Sequence, residues 1–156
     1  MQEAAMSKTR ILKISAAVFA ALLFAPVVWG RQDKKALFKY VAGTEALPKG
    51  CGGELEVTES ALVFLCDGKS VSVPYDAISQ MEFLPRVSKK IRKMKLHWEI
   101  KPGSSHSKHA GFFSVIYSGG GQTRAIVLKV PDDTMRPYMA EIDLKTGHNI
   151  ESRTDN

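Results

Sequence analysis

Residues 52–83 read GGELEVTESALVFLCDGKSVSVPYDAISQMEF. The period of this stretch is two nearly throughout, the signature of strands with one buried and one solvated face. GGELEV and ALVFLC flank TES as the arms of a hairpin. SVSVP and AISQMEF follow as two more short strands, parted by Pro74, which has no N–H to give a ladder and so ends one. The hairpin sets Cys51 and Cys66, the two cysteines of the chain, near the same level at its open end. In an oxidising compartment they have one intramolecular pairing available, and a disulfide is expected. The other reading is two buried free thiols. A metal site is the poorest fit, because the histidines lie far away in sequence.

Outward from this stretch the period persists. Met94, Leu96, Trp98 and Ile100 alternate with Lys93, Lys95, His97 and Glu99, which predicts a strand with Trp98 facing inward. FFSVIY and TRAIVLKV enclose SGGGQ, whose glycines can take positive φ, so a second hairpin is expected there. LFKYV is a weaker strand candidate ahead of the first hairpin. The period then changes: in PDDTMRPYMAEIDLKTG, Met135, Tyr138, Met139 and Ile142 fall at helical spacing. Asp133 or Thr134 would cap this helix over about 134–146, with Pro137 in its first turn and Gly147 as its stop. Its apolar stripe needs a surface, and the sheet is the surface on offer. Residues 148–156 are polar and predict a frayed tail.

About seven short antiparallel strands followed by one covering helix make a mainly β domain. GELEVTESALVFL followed by VSVPYDAISQMEF resembles the bacterial pleckstrin-homology-like, or GRAM-like, domains, which open with a Gly-x-Leu hairpin into a Leu-x-Phe strand and place a Pro-Tyr-x-x-Ile step in the fourth strand. The likeness covers about residues 36–147. It implies a strongly bent antiparallel sheet or partly open barrel, plugged at one end by the C-terminal helix, and a role in binding rather than catalysis. The chain departs from the family in two respects. The cysteine pair is not general to it, and the first hairpin loop is TES, where phosphoinositide-binding relatives carry basic residues. Their lipid site therefore does not carry over.

No enzymatic motif holds its context. Ser105 and Lys108 match Ser-x-x-Lys, and KTG at Lys145 matches a second signature of penicillin-recognising enzymes. The first falls in a polar Gly/Ser loop and the second closes a helix, where a buried helix and a strand are required. His106 and His109 stand three apart in the same loop without further metal ligands. GGGQ precedes a strand, whereas a phosphate cradle needs a helix N-terminus. Asp132 and Asp133 read as helix-capping charges. The expectation is a protein with no catalytic residues, no cofactor and no metal.

At 156 residues, 44% hydrophobic and 24% charged, the chain has room for a single core. Residues 1–30 stand apart from it. Lys8, Arg10 and Lys13 precede the apolar run ISAAVFAALLFAPVVW, which ends at Gly30. This reads as a cleaved signal peptide, with an uncleaved anchor through residues 11–29 as the alternative. Residues 31–50 form a lead-in and first strand, and residues 51–147 the core domain. Both readings of the leader place residues 31 onward outside the cytoplasm, periplasmic or extracellular.

Charge then isolates one segment. Residues 86–95, RVSKKIRKMK, hold Arg86, Lys89, Lys90, Arg92, Lys93 and Lys95. Beyond residue 30 the chain carries 19 basic against 15 acidic residues, while residues 86–101 alone hold seven cations against Glu99. Positive charge is concentrated, which a merely solubilising surface does not require. Pro85 ends the preceding strand, so the segment is expected to be a loop or one-turn linker projecting from a rim, with Val87, Ile91 and Met94 among its cations. It suits docking on an acidic protein partner or on an anionic membrane or envelope polymer. Alternatively the cations only guard an edge strand and keep the chain soluble. Nucleic acid is not expected, since the compartment is wrong and Trp98 alone could offer a nearby indole for stacking. Oligomeric state is not legible.

Overall fold

The computed structural model describes residues 37–48, 50–99 and 109–152. The leader, the Ser105, His106 and Lys108 readings and the last four residues lie outside them. Nine strands form among the described residues, and the domain is mainly β with a C-terminal helix.

Two antiparallel meanders build the sheet. The first is β2 (Gly52–Val57), β3 (Ala61–Cys66) and β4 (Lys69–Pro74). The turn between β3 and β4 is Asp67-Gly68, with φ of 46° and 74°, the positive pair that a two-residue hairpin with right-handed twist demands. The second meander is β5 (Ile78–Leu84), β7 (Ala110–Gly119) and β8 (Gln122–Pro131), in which Gly120 and Gly121 supply the left-handed turn. The central strand β1 (Phe38–Gly43) joins the two, pairing with β2 at Phe38 and Lys39 and with β8 from Lys39 to Gly43. With β9 (Ile150–Ser152) at one end, the order across the sheet is β4-β3-β2-β1-β8-β7-β5-β9, bent and not closed. Gly53 stands where β2 leaves β1 for β3. A Cβ there would lie 1.8 Å from the Leu65 carbonyl oxygen, so only glycine permits this approach.

The main core fills the concave side. Phe38, Tyr40, Leu55, Phe64, Phe113, Val115 and Leu128 meet there under α2 (Asp132–Thr146). Met135 and Ile142 of α2 are fully buried, Tyr138 and Met139 half-buried, and Tyr138 meets Phe38 edge-on at 5.0 Å. Each fully buried apolar side chain of this size contributes about 1.5–3 kcal/mol.

Several expectations are corrected. The helix starts at Asp132, with Pro131 rather than Asp133 or Thr134 in the capping position and no side-chain cap. Strand β8 runs directly into it, and the Asp132 N–H donates to the His109 carbonyl at 3.1 Å. Pro137 is consequently inside the helix and past its first turn, on the exposed side. There water can satisfy the carbonyl that its missing N–H leaves. Gly147 stops the helix at φ 66°, as expected. The tail does not fray throughout: Ile150–Ser152 form β9, parallel to Met81–Phe83 at the edge of β5. The long alternating strand around Trp98 is reduced to β6, His97–Trp98.

Candidate functional site

The basic segment is a strap across the outer face of the sheet. After β5 ends at Leu84, residues 85–99 pass from β5 to β1, the far side of β7 and β8. Along the way lies the single turn α1 (Lys89–Arg92), with Ser88 as its N-cap: the Ser88 hydroxyl accepts from the Ile91 N–H at 3.4 Å. Ile91 is 0% and Val87 8% exposed. They pack on Ala42, Phe112, Ile116 and Val127, with Met94, Leu96 and Trp98 half-buried beside them. This makes a second, smaller core. At the far end Trp98 pairs with Ala42 and His97 with Gly43, and the Glu99 N–H donates to the Val41 carbonyl at 2.8 Å.

The strap explains both its own alternation and the lost strand. Met94, Leu96 and Trp98 do turn inward while Lys95 and His97 face water, but they cover the outer face of the sheet, and a ladder forms only at His97 and Trp98. Trp98 is therefore half-buried and does not belong to the main core. Val87 and Ile91, expected among the displayed residues, are its anchors. The sequence carried part of the signal for this: Val87 stands just before, and Ile91 three residues after, a serine that can cap a helical turn.

Arg86, Lys89, Lys90, Arg92, Lys93 and Lys95 are all exposed. The Lys90 ammonium donates to the Gln80 side-chain oxygen. Among the described residues Lys89, Arg92, Lys93 and Lys95 form no ion pair. Under the strap, Glu82 of β5 and Ser114 of β7 stand directly opposite each other. They are 3% and 1% exposed, and among the described residues neither Glu82 Oε1 nor Ser114 Oγ has a hydrogen-bond partner.

A second feature escaped the sequence reading, since it depends on how far the sheet stays open. A groove of about 580 Å³ runs beside β4, with residues 45–47 and 117–119 and Arg124 on its other side. That far wall is well tied. The Arg124 guanidinium pairs with the Glu45 carboxylate and donates through Nε to the Gly119 carbonyl at 3.1 Å. The Tyr40 hydroxyl donates to the Glu45 carbonyl at 2.6 Å, and the Ala125 N–H donates to the Thr44 hydroxyl at 2.9 Å. Burial pushes the Tyr117 phenol upward, as does the Glu45 charge, while Arg124 opposes both.

Cys51 and Cys66 are brought together as a disulfide, with Cα atoms 5.9 Å apart, inside the usual range. Asp132 and Asp133 lie in the first turn of α2, where their charges suit the helix dipole. Among the described residues no group of three or more His, Cys, Asp or Glu is placed to hold a metal ion. Among known proteins, neither a protein-family model nor a curated sequence matches the chain.

Proposed function

We propose that this chain is an exported, non-catalytic binding module of pleckstrin-homology-like build that docks through its basic strap on an acidic face of a partner protein. The observation that carries the reading is the mounting of the strap. Six exposed cations sit on a segment held down by the buried Val87 and Ile91 and by the β6 pairing at its end. Cations on a fixed support lose little freedom on docking, and complementary charge steers encounter. The edge-guarding alternative is weakened because the strap lies over the sheet face, whereas the terminal strands are β4 and β9. Membrane docking is the weaker reading too: the apolar residues that would enter a bilayer point at the sheet. Two meanders joined through β1, with a C-terminal helix against the core, support the pleckstrin-homology-like assignment. The disulfide supports an oxidising compartment.

The test compares the full chain with a variant in which Lys89, Lys90, Arg92 and Lys93 are all glutamine. Affinity capture from an envelope fraction should retain an acidic protein on the wild type and lose it on the variant. That binding should fall steeply with salt, since exposed charges are screened over about 8 Å at physiological ionic strength. Melting temperatures should agree within about a degree or two, because solvated charges contribute little to folding. Flotation with vesicles rich in anionic lipid should carry little of either protein. A wild type that captures nothing salt-sensitive, with a variant that precipitates, would reduce the strap to a solubility device. Strong flotation of the wild type alone would make the partner a membrane.

A further inference from the structure

The open sheet has two ends that are treated differently. At one, the chain's own β9 covers part of β5. At the other, β4 has β3 on one side and the groove on the other. Which main-chain groups of β4 face that groove follows from register. The two-residue turn makes Cys66 and Lys69 the first bonded pair of the β3–β4 hairpin, so Phe64–Val71 and Leu62–Val73 are the next. The intervening residues Ser70, Ser72 and Pro74 then point their backbone groups away from β3. An independent bond agrees: the Thr58 N–H donates to the Ala61 carbonyl at 3.0 Å, so Ala61, opposite Pro74, spends its groups on the β2 side. Pro74 falls at a position whose N–H would have faced the groove, which is where a strand tolerates proline.

The groove wall therefore offers N–H and C=O at Ser70, N–H and C=O at Ser72, and C=O at Pro74, repeating about every 6.8 Å along an edge about 20 Å long. Donors and acceptors alternating at that spacing match an extended polypeptide. The opposite wall selects among polypeptides. Because residues 45–47 and 117–119 face β4 across the groove, one strand can lie in it, whereas the β4 edge of a second copy would arrive with its own sheet behind it. Charge adds one more element. Arg124 is neutralised by Glu45, while Lys69 is exposed and among the described residues forms no ion pair, which leaves the groove one unmatched cation.

The geometry points to β4 as a strand-addition site: an extended peptide segment of a partner protein, about five residues long, lies antiparallel along Lys69–Pro74 with a carboxylate side chain opposite Lys69. This site is separate from the basic strap and does not depend on it.

A display library of linear seven-residue peptides, selected on the full-length oxidised protein, supplies the probe. Selected peptides should share an acidic position. Before binding, the amides of Val71 and Val73 should exchange slowly and those of Ser70 and Ser72 fast. With a selected peptide bound, Ser70 and Ser72 should become protected at least tenfold. Ser72→Pro deletes an N–H that serves only the groove, so it should weaken binding at least tenfold while leaving the exchange of Val71 and Val73 unchanged. Lys69→Glu should weaken binding to acidic peptides and spare neutralised ones. The strap variant with four glutamines should bind as wild type, which separates this site from the docking reading. A library that yields no binder overturns the proposal. So do peptides that leave Ser70 and Ser72 unprotected, or an affinity indifferent to Ser72→Pro.

Discussion

Ile91 shows how one side chain sets the direction of a charged surface. It is fully buried beneath four exposed cations of its own turn and the next residue, and its neighbours are the outer side chains of β1, β7 and β8. Ile91→Ala should cost about 2–5 kcal/mol, read as a lowered urea midpoint. It should also release Trp98, whose emission should move red in the folded state. A loss well under 1 kcal/mol with unchanged emission would mean that the strap is held elsewhere. The half-burial of Trp98 lowers what its own removal should cost, below the 3–5 kcal/mol or so expected of a fully buried tryptophan. Reading Trp98 as a core residue was reasonable from Met94, Leu96 and Trp98 alone. Alternation reports one covered face, and it is the same for a strand in a ladder as for an extended strap on a sheet.

Among elements, the first hairpin was the most legible, because local chemistry decides it. GGELEV, TES and ALVFLC lie next to one another, and pairing Glu54 with Leu65 through Val57 with Leu62 needs nothing distant. The disulfide closes this unit over a sequence separation of 15, which stabilises by about 3 kcal/mol in the chain-entropy model. Cys51→Ser should therefore lower stability by about 2–4 kcal/mol relative to the oxidised wild type, and reduction of the wild type should do the same. Two freely alkylated thiols in native protein would remove the crosslink from the account. Elements decided at a distance were less legible. The start of α2 was placed late because nothing local announces that β8 runs straight into it. Strand β9 was missed because Ile150–Ser152 have no apolar pattern of their own. Their strand state comes from the free edge of β5.

For the whole molecule, the bent sheet and C-terminal helix followed from period and order, while the strap and the groove depended on tertiary placement. The shared core gives the molecule an alkaline limit. Tyr40 and Tyr117 are buried within it, with Tyr75 half-buried at its margin. Burial is the first cause raising all three phenols, with Glu99 and Glu45 adding to it at Tyr40, and Lys145 opposing it at Tyr75. In the unfolded chain tyrosine ionises near pH 10. Above about that pH the unfolded state holds fewer protons than the folded one, so stability, fully present below it, falls as pH rises towards the folded values. Urea midpoints should hold between pH 8 and about 9.5 and drop beyond, less steeply in Tyr40→Phe. An identical slope in that variant would assign the loss to other groups. The pairing of β1 with β8 has a further effect, on time. Lys39 meets Lys129, so one edge of the central strand waits for a partner made 90 residues later, and the two meanders cannot share a core until then. Folding dominated by such distant contacts is slow, on the order of milliseconds to seconds. During synthesis one edge of β1 can meet β2 early, but its other edge stays open until β8 has been made.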